Sequence, residues 1–111
     1  MNSGERESPA ERARQALRTV IDPELGYNIV DLGLIYDVGI DDTDMAHVLM
    51  TTTTRGCPAT SYLQEGARES IAQLPGIAGV DVVMTYDPEW SPQMMTPEAK
   101  RYLGIEEESL P

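Results

Sequence analysis

The sequence predicts an α+β fold in which helices pack on one face of a small, mixed, three-stranded sheet. Apolar residues alternate along three short segments and recur at helical spacing along others, in the order α-β-β-α-β-α. A chain of 111 residues has the size of one domain and buries enough surface for a core without disulfides. We expect a flexible N-terminus at 1–8, the folded domain at 9–104 and a flexible acidic tail at 105–111.

The first helix has both a start signal and a stop signal. Residues 8–11, Ser-Pro-Ala-Glu, have the pattern of a capping box with proline at the first helical position. The turn Asp22-Pro23-Glu24 breaks the helical pattern, so the helix is expected to end before it. The predicted buried stripe comprises Ala10, Ala13, Leu17 and Val20.

Two alternating segments separated by an acidic turn predict an antiparallel hairpin. The first strand is expected at 34–40 and the second at about 45–53, with the turn at 41–44 between them. One face of the first strand is expected to carry Leu34, Tyr36, Val38 and Ile40.

The rest of the chain predicts a strand–helix–strand unit and a last short helix. The second helix is expected to follow Cys57 and to stop at Pro75-Gly76, before a third strand that starts near Val80. Such a step usually connects parallel strands, which places Cys57 at the C-terminal end of the second strand. Thr96 and Gly104 mark the ends of the short helix.

The charge of the chain excludes some classes of partner. It carries 19 acidic and 8 basic residues, a formal net charge of −11, whereas binding to nucleic acid or to anionic lipid normally needs a basic surface. We therefore expect no nucleic-acid partner and no membrane attachment. A single cysteine excludes an internal disulfide framework, and residues 1–8 contain no apolar stretch, so a cytoplasmic location is expected.

The single cysteine lies where the second strand is expected to run into a helix. A thiol there is close to unpaired backbone N–H groups and to the positive end of the helix dipole, which favour the thiolate that binds metals or attacks electrophiles. Gly56 allows a sharp turn and Pro58 suits the first helical position. The alternative is that Cys57 is a small, buried, apolar residue. The residues around it favour neither interpretation over the other.

Two further segments carry side chains that could bind a cation or a partner. Asp22-Pro23-Glu24 offers carboxylate oxygens to a cation, although a helix-stopping turn with solvated acids is the simpler interpretation. Trp90 and Met94 follow a second Asp-Pro-Glu turn and predict either an adaptable partner surface or a flap folded over the core.

These residues do not form a familiar enzyme site. The only histidine, His47, lies about ten residues before Cys57 along an extended strand, or about 30 Å away, so we expect it to be structural or solvent-facing. No glycine-rich phosphate loop and no pair of cysteines or histidines is present. One thiolate cannot hold an iron–sulfur cluster alone, so any metal or cluster would be shared between chains.

Five motifs in order resemble a known family. The stretch 19–36 contains Asp22-Pro23-Glu24 and resembles the opening of the SufT/PaaD-like metal–sulfur cluster assembly domain. The later motifs are Thr51-Thr52-Thr53, Gly56-Cys57-Pro58, Leu74-Pro75-Gly76 and Asp87-Pro88 with Trp90-Ser91-Pro92 and Met94-Met95. The resemblance covers about residues 14–104.

The resemblance implies a maturation factor for iron–sulfur proteins that acts as a carrier or adaptor, not as an enzyme. Its expected partners are the iron–sulfur assembly machinery and client apoproteins. Iron or a transient cluster would be shared between chains, a homodimer being one arrangement. The implied ligand is Cys57; the implied supporting residues are Asp22, Glu24, Thr53, Thr54 and Gly56; and the implied client contacts are Trp90 and Met94.

One alternative within the resemblance remains open. PaaD-type subunits of an oxygenase system share the domain but extend into a cysteine-rich, metal-binding tail, and Cys57 is the only cysteine here. Glu89 also replaces a proline that is common in the family. The alternative is a non-catalytic interaction subunit of a multicomponent oxygenase-type enzyme, in which Cys57 is packed and inert.

Overall fold

The computed structural model describes residues 8–105. The elements in chain order are α1 (Pro9–Leu17), β1 (Ile35–Ile40), β2 (Met45–Met50), α2 (Thr60–Ala72), β3 (Gly79–Met84), a 3₁₀ turn (Pro92–Met94) and α3 (Pro97–Leu103). This confirms the predicted α+β class and the order of its helices and strands. The predicted flexible segments lie outside the described residues except for Ser8 and Ile105.

The three strands form one mixed sheet in the order β1-β2-β3. β1 and β2 pair antiparallel and β2 and β3 pair parallel, as the hairpin and the strand–helix–strand pattern predicted. Val38, Val48 and Val82 align across the sheet and are buried. Because α1 contacts β1 and α2, and α2 contacts β3, both helices cover the same face.

The predicted face of the first strand is correct for Leu34, Val38 and Ile40, which lie in or against the core, but wrong for Tyr36, because of a β-bulge. The register shifts between Ile35, which pairs with Met50, and Asp37, which pairs with Leu49, so Tyr36 is an extra residue in the strand. A one-residue shift moves side chains to the opposite face. Ile35 is therefore buried and Tyr36 is only half-buried. The hydroxyl of Tyr36 donates a hydrogen bond to the carbonyl oxygen of residue 88, 2.8 Å away.

The helix boundaries follow from their caps. Ser8 Oγ accepts the Glu11 N–H at 3.1 Å at the start of α1, and Thr96 Oγ1 accepts the Ala99 N–H at 3.3 Å at the start of α3. Helix α1 ends at Leu17, so Val20, which was predicted to continue its stripe, is buried beyond the helix end. Strand β2 ends at Met50, three residues before the predicted end.

The segment between α1 and β1 is irregular but contributes to the core. Ile29 and Leu32 have no exposed surface, and only a single bridge between Ile21 and Asn28 interrupts the loop structure. The carbonyl oxygen of Asp31 accepts the N–H of residue 96, which holds the start of α3 against this segment. No helix within residues 8–105 is long and apolar enough to cross a membrane.

Gly33 is required by both its conformation and its surroundings, and this generates a prediction. Its φ is +82°, and a Cβ there would lie 2.5 Å from the carbonyl oxygen of Met94. We expect Gly33→Ala to lower the free energy of unfolding by about 3 kcal/mol, because backbone strain is added to a clash with main-chain atoms.

Gly76→Ala is the matched control, since φ there is +83° and nothing lies within 4 Å of the added Cβ. It should cost only about 1 kcal/mol, from the left-handed conformation alone. Urea unfolding of both variants measures the difference. Equal losses would mean that the contact between Gly33 and Met94 does not constrain the fold.

Candidate functional site

Cys57 lies in the loop between β2 and α2, close to the helix N-terminus. Its carbonyl oxygen accepts the N–H of Thr60 at 3.1 Å and the Thr60 hydroxyl at 2.8 Å. Its side chain is 6% exposed and is a free thiol. The Sγ atom lies 3.8 Å from Oε1 of Glu24, a long contact in which the thiol is the donor. A thiol and a carboxylate separated by 33 positions in sequence therefore meet at one place.

Asp22 shapes the turn that presents Glu24 to the thiol. Its Oδ1 accepts the N–H groups of Glu24 at 2.7 Å and of Leu25 at 3.0 Å, and the residue is buried. Its carbonyl oxygen accepts the Gly26 N–H at 2.7 Å. The carboxylate of Asp22 is thus committed to the turn, whereas Glu24 is exposed. The structure separates the two acids of the motif into a positioning residue and a residue that can meet a ligand.

A depression of about 380 Å³ opens beside the loop that leads to Cys57. Thr53, Thr54 and Trp90 line it. Thr52 also lines the depression and connects two of its other residues, because its hydroxyl donates to the carbonyl oxygen of Thr54 at 2.6 Å and lies 2.8 Å from the Tyr86 hydroxyl. Gly56 adopts φ +69° at the far end of this loop, as a sharp turn before Cys57 requires.

A hydrogen bond, a cation–π contact and an ion pair stabilise the walls of this depression. The Trp90 indole N–H donates to the carbonyl oxygen of Leu32 at 2.7 Å. The Arg55 guanidinium lies 5.0 Å from the centre of the Tyr86 ring, and its Nε is 4.0 Å from a Glu89 carboxylate oxygen. Tyr86 and Arg55 were not among the predicted site residues.

The position of Tyr86 follows from the strand register. Met50 and Met84 are partners at the ends of β2 and β3, so the residues two positions further on, Thr52 and Tyr86, meet at the same edge. The predicted parallel pairing of the two strands places their ends at the same edge of the sheet. Predicting that Thr52 meets Tyr86 also requires the register of the pairing, which the sequence did not provide.

Met94 lies in a different place from Trp90. Together with Tyr36 it lines a second, more apolar depression of about 580 Å³. The Tyr36 hydroxyl lies 3.6 Å from the Met94 sulfur. Burial raises the pKa of this hydroxyl, and a hydrogen bond with Thr51 partly offsets the rise. The two predicted client contacts therefore lie in separate depressions.

The residues described at 8–105 do not provide a complete metal site. They contain no group of three or more histidine, cysteine, aspartate or glutamate side chains placed to hold a metal ion. Cys57 and Glu24 bring one sulfur atom and one carboxylate together. A structural zinc site or an iron–sulfur cluster takes about four protein donors, so these two side chains alone do not complete one.

The family model for iron–sulfur cluster assembly proteins matches residues 10–83, about two-thirds of the sequence. This chain belongs to the iron–sulfur cluster assembly protein family. The resemblance to SufT-like domains is thereby confirmed. The Fe-S protein maturation auxiliary factor YitW of Bacillus subtilis is similar, with 38% identity over 100 residues that cover 90% of this chain and 98% of the relative. The Staphylococcus aureus Fe-S protein maturation auxiliary factor SufT is 41% identical over 86 residues, covering 78% and 98%.

A solved structure shares the fold of this family member over almost its whole length. The crystal structure of the domain of unknown function DUF59 from Bacillus anthracis has a TM-score of 0.85 and 35% sequence identity. The match covers 95% of this chain and 100% of the other. The shared fold therefore extends past residue 83, where the family model ends.

His47 pairs with an aspartate at the β1–β2 turn. It is exposed, and its Nε2 lies 2.8 Å from Oδ2 of Asp41, with Nδ1 3.6 Å from Asp81. The hydrogen bond with Asp41 raises the pKa of His47 above its usual value. Bonds from the Thr43 hydroxyl and from His47 lower the pKa of Asp41. The pair closes the β1–β2 turn, and the expectation of a solvent-facing histidine is confirmed.

The raised pKa of His47 predicts a pH-dependent contribution to stability. A group whose pKa rises on folding contributes fully below its unfolded pKa of about 6.5, and the contribution is lost as pH rises through the folded value. We expect the melting temperature of the native chain to exceed that of His47→Gln at pH 5.5 and the gap to close towards pH 9. Both groups are exposed, so the gap should be small and should shrink in high salt.

Asp42→Asn is the control, since it removes a neighbouring charge that makes no hydrogen bond with His47. Thermal unfolding of the three proteins across this pH range makes the measurement. A constant gap between the native chain and His47→Gln would contradict the ion pair.

The turn around Asp22 predicts a second effect on stability. Asp22→Ala leaves the N–H groups of Glu24 and Leu25 without their acceptor, which should cost about 2 kcal/mol. Asp22→Asn keeps a side-chain oxygen in the same place and should cost less than half of that. Urea unfolding gives the free energies.

The same variants test whether Asp22 positions Glu24. Released from the turn, Glu24 no longer covers the thiol, so Asp22→Ala should increase the rate at which native Cys57 is alkylated. An unchanged alkylation rate, with the loss of stability intact, would show that the turn and the thiol are independent.

Proposed function

We propose that this family member handles iron or an iron–sulfur cluster through Cys57, as a carrier or adaptor in the maturation of iron–sulfur proteins. The observation that carries the proposal is the 3.8 Å contact between Cys57 Sγ and Glu24 Oε1 at the start of α2. It places a soft sulfur donor and a carboxylate donor side by side. Iron accepts both kinds of ligand.

The number of donors favours a transient cargo. An iron–sulfur cluster takes about four protein ligands, so two donors on this chain leave about half of them to another chain, which is either a client or a second copy. A cargo held by few ligands leaves by ligand exchange as the acceptor supplies thiolates. We therefore treat the cluster as a substrate that is passed on.

The pair also accounts for the thiol proton. Metal binding requires the thiolate, so the proton of Cys57 must leave as iron arrives. The Oε1 atom of Glu24 already accepts the hydrogen bond from this thiol, and it is exposed enough to pass the proton to water. Asp22 keeps Glu24 in this position through its bond to the Glu24 N–H.

The depression beside the loop provides a place for the inorganic part of the cargo. Thr53 and Thr54 line it, and hydroxyls of this kind can donate hydrogen bonds to a cluster sulfide or to the thiolate. Trp90 forms a fixed wall on the same side, and Gly56 allows the loop to turn towards Cys57. Met94, in its separate apolar depression, is proposed as a client contact.

The role we propose is not enzymatic. The two relatives described above are named maturation auxiliary factors, and a carrier needs ligand exchange without a catalytic base. The proposed partners are the iron–sulfur assembly machinery and client apoproteins. The single cysteine supports the cytoplasm as the proposed compartment.

One observation favours the alternative of an interaction subunit with an inert thiol. Cys57 is only 6% exposed, as a packed apolar residue would be. Thiol reactivity separates the two. Alkylation of the native protein at a rate near that of the unfolded chain supports the carrier, and alkylation only after denaturation supports the interaction subunit.

The decisive experiment is complementation. In cells that lack this gene, we expect the native chain to restore the activity of an iron–sulfur dehydratase. Cys57→Ala should recover less than a tenth of the lost activity, because the sulfur donor is gone. Ser61→Ala, at an exposed position near the start of α2, is the control and should restore activity fully. Full rescue by Cys57→Ala would contradict a role for the thiol.

A further inference from the structure

A groove runs along one side of α2, the helix that follows the Cys57 loop. It has a volume of about 510 Å³ and lies between α2 and the segment 19–21 that precedes Asp22. We call it the α2 groove and define it by Ile21, Tyr62, Glu65, Gly66 and Glu69.

The α2 groove exposes apolar surface in an otherwise acidic and polar chain. Ile21 is 44% exposed and Tyr62 is 60% exposed, and they are two of the four large apolar side chains exposed in the described part of the chain. Both side chains line the same groove, so they belong to one surface feature instead of being scattered singly. Ile21 directly precedes Asp22, and Tyr62 lies in the first turn of α2, which follows the Cys57 loop, so the apolar end of the groove is the end from which the chain leads to the thiol.

The shape of the groove follows from the spacing of residues along α2. Its lining positions 62, 65, 66, 69, 70 and 73 follow the i, i+3, i+4, i+7, i+8, i+11 pattern of one helix face, so they form one stripe about 17 Å long. Gly66 keeps the floor low, because it has no side chain where Val20 packs against the helix. A Cβ at Gly66 would lie 3.1 Å from Val20 Cγ1.

The loop wall of the groove does not offer a continuous edge for a strand to pair with. The N–H groups of Thr19 and Val20 are bonded to carbonyl oxygens at the end of α1, and the N–H of Asp22 is bonded to the carbonyl oxygen of Tyr27. Side chains therefore provide most of the surface that an occupant meets, as they do when an amphipathic helix binds in a groove. A stripe of this length accommodates about three helical turns.

The acidic side chains of the groove favour an occupant with basic side chains. Its two ionisable carboxylates, Glu65 and Glu69, lie on the same stripe, and the whole chain carries a net charge of −11. Glu65 pairs with Arg68, at 2.8 Å, whereas Glu69 makes no ion pair with any described residue. A partner with lysine or arginine beside its apolar face complements this arrangement.

We propose that the α2 groove docks a short, basic, amphipathic helix of a client or assembly protein and so brings that partner to Cys57. This inference rests on the maturation role proposed above. It adds a surface to that role, since the thiol and Glu24 exchange the cargo and the α2 groove holds the acceptor next to them.

A defined peptide tests the docking. The probe is an 18-residue synthetic peptide of leucine and lysine with leucines at helical spacing, and a scrambled peptide of the same composition is its control. Titrated into the full chain in an NMR experiment, the patterned peptide should shift the signals of Ile21, Tyr62 and Glu69 and bind at least tenfold more tightly than the scrambled one. Equal affinities, or shifts concentrated elsewhere, would overturn the proposal.

Matched charge variants separate the groove from the overall charge. Glu65→Lys with Glu69→Lys should weaken patterned-peptide binding at least tenfold, whereas Asp42→Lys with Glu98→Lys makes the same change in net charge away from the groove and should weaken it less than threefold. Tyr62→Ser removes the apolar anchor without changing charge and should also weaken binding at least tenfold.

Equal losses in the two double variants would overturn the proposal. So would a dimer of the chain that Tyr62→Ser abolishes, because a second copy would then be the occupant.

Complementation distinguishes failure of this inference from failure of the proposed function. The groove double variant should restore iron–sulfur enzyme activity poorly, and the control double variant fully. If the groove variant restores activity fully while Cys57→Ala does not, docking at the groove is wrong and the maturation role stands. If Cys57→Ala restores activity fully, the proposed thiol chemistry is wrong, whatever the groove variants do.

Discussion

The parallel pairing of β2 with β3 is the constraint on which the rest of the molecule depends. Parallel strands need a crossover, and α2 provides it, so the chain must leave β2 and enter a helix at one edge of the sheet. That edge collects the threonine loop, the thiol at the start of α2 and Tyr86 beyond β3. A hairpin in place of this crossover would have removed both the helix N-terminus and the loop that carries the site.

The second half of the site comes from the irregular segment between α1 and β1. Buried Ile29 and Leu32 anchor this segment in the core, and the carboxylate of Asp22 organises its first turn internally. Glu24 is consequently held beside Cys57 by a loop that is itself part of the hydrophobic core. The bonds from the N–H groups of Glu24 and Leu25 to the Asp22 carboxylate set the path of the turn that brings Glu24 to the thiol.

Local signals predicted the elements well, whereas contacts between distant segments could be predicted only in part. Ser8 and Thr96 marked helix starts, because capping depends on residues within one turn. The bulge at Tyr36 was missed, because alternation in sequence does not reveal an extra residue in one strand. The motif around Asp22 and the thiol were both recognised, but their 3.8 Å contact through Glu24 depends on the path of the 18–34 segment. The separation of Trp90 from Met94 depends likewise on packing around Gly33.

Trp90 is the only tryptophan of the chain, and it lines the depression that also contains Thr53 and Thr54. A 2.7 Å hydrogen bond from its indole N–H to the Leu32 carbonyl oxygen fixes the ring there. The molecule therefore has a built-in optical reporter at this location. Its fluorescence comes from a single environment and is uncomplicated by other indoles. An absorbing iron–sulfur chromophore seated in that depression would quench the emission by energy transfer, so arrival and departure of cargo could be followed in real time without a label.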